Sequence, residues 1–431
     1  MSSTIMVGSG VNGLLLGALL SHEGDKVTVF EKNKAVGGRA ILKEKDGYVI
    51  DNGLHVTRFG PLSAVAKVMD RMNRHVEYKK VGESFLIDHD GKTVLFPTRL
   101  GGMFKTGLFS FREKIKIVGL ISKIKRGKFN HLMHLSLGDW MAQHNVTGGI
   151  RRYFELVSAS LMVCPFVEKT SAGEMFRTLH KILNCNHSVE YPQQGWLPIF
   201  NGCIDEIKTN GDIKLNSKVD RVIVKDKKAI GVMVNGESFY ADRVIINLPV
   251  QELFSVLSEE MFEADYVSLC KNLIPTSGVF IDIAIKKRIS DIDGMIYTYA
   301  PKALGMITSN IAEGLTPENG QLLTMWYPTS LEDVIDPGMR EKKLEELWGA
   351  IRRFFPDIDE NIHWKREKAL KIVDGAQINI HQTEDLRPAA KVPGIEQLFL
   401  VGDSIAAPGA GGDVGNESVL VTFEAITGKT L

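Results

Sequence analysis

The sequence predicts an α/β protein: a Rossmann-like dinucleotide-binding domain interrupted by an inserted α+β domain. Three observations carry this prediction. A strand, a glycine loop and a helix open the chain. A second strand ends in an acid where a nucleotide ribose needs one. A further strand, glycine loop and helix close the chain at its far end, so the middle must leave a ligand site and return to it. At 431 residues the chain is long for one domain and comfortable for two.

Ile5–Val7 reads as a short apolar strand, followed by the loop Gly8-Ser9-Gly10-Val11-Asn12-Gly13 and the helical run Leu14–Leu20. Gly8 permits the tight turn, Gly10 lets backbone approach a pyrophosphate, and Gly13 lets helix and strand pack closely. The phosphate then rests on the helix N-terminus at Val11 and Asn12. The strand Lys26–Phe30 ends in Glu31, with Lys32 beside it, at the distance where a carboxylate meets a ribose hydroxyl. The opening apolar run lacks the basic flank of a secretory signal. No other stretch reaches the roughly 18 to 20 apolar residues of a membrane span.

At the other end, in "LFLVGDSIAAPGAGGDVGNES", Leu398–Val401 reads as a buried strand. Gly409, Gly411, Gly412 and Gly415 read as a tight loop, and Val419–Ile426 as a helix. Exposed backbone N–H groups before a helix make an anion or polar-ligand site. Between the ends, Val/Ile runs at 219–224, 229–234 and 243–246 read as strands, and Asn235-Gly236 as a hairpin turn. The expected partition is a cofactor domain of residues 1–79, 191–255 and 371–431, and a substrate domain of residues 80–190 and 256–370. The first part of the substrate domain is mostly helical by pattern; the second holds strand-like runs at Gly278–Ile285 and Leu322–Trp326. No second glycine unit follows, so a dedicated NAD(P)H domain is not expected.

Lys+Arg and Asp+Glu balance at 52 each, so no global field draws nucleic acid to the protein. Cys164, Cys185, Cys203 and Cys270 stand far apart, with no C-x-x-C and no His-bearing metal pattern. This suits a reducing, cytoplasmic setting without disulfides or a metal.

NAD and FAD both fit the first thirty residues. The discriminating segments are Gly37-Gly38-Arg39 after the acid, "GYVIDNGLHVT" at 47–57 and "LFLVGDS" at 398–404. With these the chain resembles the FAD-dependent superfamily of phytoene desaturase-like enzymes and flavin amine oxidases. The resemblance implies a glutathione-reductase-type domain binding FAD non-covalently. In this likeness Glu31 takes the adenosine ribose, the backbone of Val219 meets adenine, and Gly38 and Arg39 face the pyrophosphate. Asn52, Gly53 and Leu54 lie near the isoalloxazine. Gly402 and Asp403 serve the ribityl chain, and Gly412, Asp413 and Val414 lead a helix N-terminus toward the flavin N1–C2=O edge.

The activity implied is oxidoreductase chemistry, desaturating or saturating C–C bonds of an apolar, isoprenoid-like or cyclic substrate. Hydride moves at flavin N5, and an external electron acceptor or donor completes the turnover. A flavin amine oxidase and a non-redox flavoprotein, whether an isomerase or one with structural FAD, remain alternatives. "YPQQGW" at 191–196 departs from the desaturase pattern at Gln193 and Gln194 and adds bulk at Trp196, which speaks against a long carotenoid. His55 is the candidate acid or base, against the plainer role of a satisfied loop histidine. Arg58 is a candidate anchor for an anionic substrate. Of Trp326 and Tyr327, neighbours on a strand, at most one faces a pocket.

Between Arg99 and Lys128, nine cations face one acid, Glu113, interleaved with Phe104, Leu108, Phe109, Phe111, Ile115, Ile117, Leu120 and Ile121. This reads either as a helix lying on an anionic membrane surface or as a solvated basic face over ordinary core packing.

Overall fold

The computed structural model describes residues 2–87, 91–185 and 187–431. Its centre is a five-stranded parallel sheet in the order Asp212–Lys214, Lys26–Phe30, Ser3–Val7, Arg243–Ile246, Leu398–Leu400. The strands are short and rich in Val and Ile because both faces are covered. Alternation sends Met6, Val29, Ile245 and Phe399 to one face, against the helices Val11–His22, Leu197–Asn210 and Gly412–Thr427. Ile5, Val7, Val244 and Ile246 point the other way, onto an antiparallel sheet of Val219–Lys225, Lys228–Val234 and Glu237–Tyr240. Asn235 and Gly236, both at positive φ (50° and 80°), close the hairpin between the last two of these strands.

A seven-stranded sheet lies beyond, in the order Ile362–Leu370, Ser277–Ile285, Gln321–Thr329, Ala303–Ile307, Ile296–Thr298, Ser84–Ile87, Thr93–Phe96. Its Val279, Ile281, Ile283 and Met325 face pack against the helix Pro337–Phe354. The helices Phe111–Arg126, Gly148–Leu161 and Ala172–Cys185 stand over the opposite side.

The region after residue 80 is largely helical from Leu100 onward. It first contributes Ser84–Ile87 and Thr93–Phe96 to the large sheet, pairings with distant strands that no local periodicity reveals. The last helix begins not at Val419 but at Gly412. Its first turn contains Gly415, where a Cβ would lie 2.5 Å from Asn12 Oδ1, so the glycine that lowers helix propensity is required by the approach of the first loop. No helix among the described residues is long and apolar enough to cross a membrane.

Gly8 shows how tightly the crossing of the parallel strands is held. Its φ is +93°, and a Cβ there would lie 2.8 Å from the Asn247 carbonyl oxygen. Gly8→Ala should therefore lower stability by about 1 to 3 kcal/mol, read as a shift of the urea midpoint at unchanged slope. An unmoved midpoint would show that the loop relaxes freely.

Candidate functional site

The C-terminal ends of the parallel strands open onto a cavity of about 760 Å³. At one end its wall is backbone. Gly10 bridges to Gly37, and a Cβ on Gly38 would come within 3.1 Å of the Gly10 Cα. Val11 and Asn12 follow at the first turn of the helix, and Val219, Glu31 and Lys32 line the same end. Gly53, Leu54 and His55 line the middle, with Gly402, Asp403 and Gly412 from the C-terminal loop opposite. Segments from three distant parts of the chain thus meet on one cavity.

Three of the candidate residues do not line it. Gly13 supports the loop from behind, where a Cβ would meet Asn247 Oδ1 at 2.7 Å. Val414 is buried in the core beneath the last helix. Asp413 turns its carboxylate to Arg58, Nη1 to Oδ2 at 2.8 Å. Of Gly412, Asp413 and Val414, only Gly412 lines the cavity, because on a helix successive side chains diverge by about 100°.

Arg58 is held largely within the protein. Besides Asp413, it donates to the carbonyls of Ala410 at 2.7 Å and Leu161 at 3.0 Å. Both terminal nitrogens are committed to the protein, and only Nε lacks a partner. The residue lines the cavity while its terminal nitrogens tie the C-terminal loop to the helix Gly148–Leu161.

Glu31 accepts from Ser9 N and Oγ on one oxygen and from Asn33 N and Nδ2 on the other, at 2.6–2.9 Å. Its carboxylate is oriented by both neighbouring loops. Arg39 donates to Asp403 Oδ1 at 2.8 Å and to the Val373 carbonyl at 2.6 Å. Asp374, also on the cavity, accepts from Thr276. Burial, with Asp403 close by, pushes its carboxyl above the ordinary range.

His55 has a cavity-lining ring whose Nε2 is buried without a partner among the described residues. Burial lowers its pKa to about 4, and Arg39 adds to this against a backbone hydrogen bond at Asn52. At neutral pH the ring is uncharged, so it offers a hydrogen bond rather than an acidic proton. Trp196 Nε1 donates to the His55 carbonyl at 2.8 Å and its ring stands edge-on to the imidazole.

The sequence reading missed what holds this loop from outside. Arg366 Nη2 reaches the Asp51 carbonyl at 3.1 Å and pairs with Asp282 at 2.6 Å. Lys368 Nζ meets Asn52 Oδ1 at 2.7 Å, and the Tyr191 hydroxyl donates to the Asp51 carboxylate. In sequence, "KREKAL" has only the look of a solvated strand face.

The other end of the cavity is apolar, and its wall is one row of the large sheet. Phe280 pairs with Trp326, Trp326 with Leu304, and Leu304 with Tyr297, which puts all four on one face. Tyr153, Val157, Leu161, Leu179 and Ile182 close it from the helices. Trp326 faces in, while Tyr327 faces out to Glu346 and Lys343. Phe96 stacks on Tyr297 and Tyr153, with centroids at 4.1 and 5.4 Å.

Glycine-backed loops from both chain ends, an acid and an arginine, with orphaned polar atoms at Asn247 Oδ1 and His55 Nε2, fit a dinucleotide with a ring system at the apolar end. A family model described as flavin containing amine oxidoreductase matches residues 12–415. The chain belongs to this family. This flavoenzyme is an FAD-dependent oxidoreductase.

It is similar to a 4,4'-diapolycopen-4-al dehydrogenase of Metabacillus indicus, 21% identical over 94% of this chain and 93% of the relative. A 4,4'-diapophytoene desaturase of Staphylococcus haemolyticus is 22% identical over 68% of this chain and 60% of the relative. Among solved structures, an oxidoreductase from Methanosarcina mazei superposes with a TM-score of 0.84 at 19% identity, covering 99% of this chain and 100% of the other. That likeness shows the Rossmann-like α/β fold.

Burial pushes the Asp51 carboxyl of this flavoenzyme up to about 7; the Tyr191 hydrogen bond opposes the shift, Asp282 adds to it, and Arg366 opposes it. A carboxyl that holds its proton more tightly when folded contributes stability at low pH and loses it as pH rises toward the folded pKa. Asn does not titrate. The difference in Tm between Asp51→Asn and the parent should therefore climb in favour of the variant from about pH 4 to about pH 7 and level off above. A difference independent of pH would show that Asp51 ionises normally.

Proposed function

We propose that this FAD-dependent oxidoreductase acts on a carbon–carbon bond of an apolar, isoprenoid-like or cyclic substrate, exchanging electrons with an external acceptor or donor. The observation that carries this reading is the row Phe280, Trp326, Leu304 and Tyr297, an apolar wall continuous with the cofactor end of the cavity. The two curated relatives named above carry apolar polyenes in their names, which supports the same substrate class.

In this reading the chain's own groups divide the work. The Gly8–Gly13 loop and Arg39 would hold the pyrophosphate, Glu31 the adenosine ribose, and Asp403 the ribityl hydroxyls. When bound, FAD supplies the two-electron chemistry, and the protein supplies position and electrostatics. The Gly412 end of the last helix brings the positive end of its dipole to the cavity, where developing negative charge is stabilised. His55, neutral and unpartnered at Nε2, would hydrogen-bond the ring or the substrate beside it. The aromatic and aliphatic walls exclude water.

An amine substrate is less well served. Phe280, Trp326, Leu304 and Tyr297, with Tyr153, Val157 and Leu161, bring no carboxylate to pair with an ammonium. Phe96, Tyr297 and Tyr153 spend ring faces on one another, where a cation would need them free.

Two measurements test the reading. Under anaerobic conditions a neutral lipid extract or an isoprenoid should bleach the oxidised flavin, or, for a saturating enzyme, reoxidise the reduced flavin. Bleaching by alkylamines alone would replace the reading with amine oxidation, and a flavin indifferent to both would leave a non-redox flavoprotein. Separately, Asp403→Ala removes a buried acceptor and should weaken FAD binding to apoprotein by about 1 to 3 kcal/mol. Unchanged affinity would remove Asp403 from the ribityl contact.

A further inference from the structure

The helix Phe111–Arg126 buries Ile117, Leu120, Ile121 and Ile124 against the protein. These packed positions explain only part of its apolar content. At about 100° per residue, Phe111 and Ile115 fall on the side roughly opposite that buried stripe. They are 78% and 64% exposed, and Phe104 on the preceding helix is 59% exposed. Lys114 Nζ donates to the Phe104 carbonyl at 2.7 Å, which ties the two helices together.

Cations flank the exposed stripe on both sides: Arg112, Lys116, Lys123 and Arg126 on one, Lys114 and Lys125 on the other. Among the described residues none of these six makes a carboxylate ion pair. The stretch's single acid, Glu113, is taken up by Ser110 in a capping box and by Gly149 N at 2.6 Å. The face thus combines exposed apolar side chains, long cationic side chains able to snorkel beside them, and a single acid of its own that is already engaged.

We propose that this face docks on an anionic lipid bilayer, with Phe104, Phe111 and Ile115 entering the headgroup boundary and the lysines and arginines meeting lipid phosphates and carboxylates. A nucleic acid would satisfy the cations but leave an exposed phenylalanine and isoleucine without a partner; a bilayer interface satisfies both. The position of the face fits this assignment. Phe96, Pro97 and Thr98 line the cavity and lead directly into the helix Leu100–Lys105. The helices Gly148–Leu161 and Ala172–Cys185, which wall the apolar chamber, lie directly beneath Phe111–Arg126. The surface that meets lipid is one helix layer from the chamber.

The test is co-sedimentation of the flavin-loaded protein with phosphatidylcholine vesicles, with and without phosphatidylserine. The parent should bind the anionic vesicles at least roughly tenfold more tightly than the neutral ones and release as salt screens the attraction. Phe111→Ser/Ile115→Ser removes exposed groups only, so its Tm should stay at the parent value while its vesicle binding falls roughly tenfold. A second variant, Lys123→Glu/Lys125→Glu, should lose the preference for phosphatidylserine.

Recovery of the parent in the supernatant with anionic vesicles at low salt would overturn the proposal. So would a folded Phe111→Ser/Ile115→Ser protein that pellets like the parent. Equal, tight binding of an oligonucleotide by the parent and that variant, without vesicle binding, would identify the face as a polyanion site instead. The readout is partition, not turnover, so it stands apart from the substrate assignment.

Discussion

The cofactor end of the cavity depends on the close approach of several backbones to one residue, Asn247. Its amide nitrogen is held by the Val7 carbonyl and its Nδ2 by the Val401 carbonyl, at 2.8 and 3.0 Å, so it is fixed between the first and last strands of the sheet. A Cβ on Gly10 or Gly13 would strike its Oδ1 at 2.8 or 2.7 Å. The glycines are therefore required for Asn247 to sit where the strands end. At Gly10 and Gly13 the loop has no room for a side chain while Asn247 stays in place.

The C-terminal loop beside the cavity is held by a different device. Arg58 and Asp413 form an ion pair in which both side chains are nearly inaccessible, 7% and 6% exposed. Burying two charges is expensive unless the remaining donors and acceptors are satisfied. Here the second guanidinium nitrogen and two backbone carbonyls share the load. The pair is better understood as fixing geometry than as adding stability. It joins the loop after residue 55, the helix Gly148–Leu161 and the start of the last helix, elements far apart in sequence.

The sequence made the cofactor end legible because each of its parts is local. A strand, glycines at set spacing and a helix start can be recognised without knowing where the rest of the chain goes. Glu31, Arg39 and Asp403 stand out for the same reason. The chamber wall is illegible for the opposite reason. Phe280, Trp326, Leu304 and Tyr297 become neighbours only through strand register, and nothing within one strand states which residue of another it will face. Alternation did limit Trp326 and Tyr327 to one inward residue, but could not say which. Arg58 and Asp413 are each an ordinary polar residue beside glycines until the fold brings them together.

The same sheet face connects the two ends of the cavity. Lys368 pairs in register with Phe280, and Arg366 with Asp282, one alternation further along. The row that forms the apolar wall therefore ends in the lysine that holds Asn52, and the next row supplies the arginine that holds the Asp51 carbonyl. The loop carrying Gly53, Leu54 and His55 is positioned by the sheet that shapes the chamber. A twist or register change in that sheet would move the wall and the loop together. Packed interiors resist continuous deformation, so the distance between the apolar wall and the loop at Gly53, Leu54 and His55 is set by the fold of one sheet rather than by adjustable contacts. Close, oriented encounter of substrate and ring is what such a site must supply. Chamber residues at Phe280, Leu304 or Trp326 can vary while the charged clasp on the edge strand of the same sheet stays unchanged.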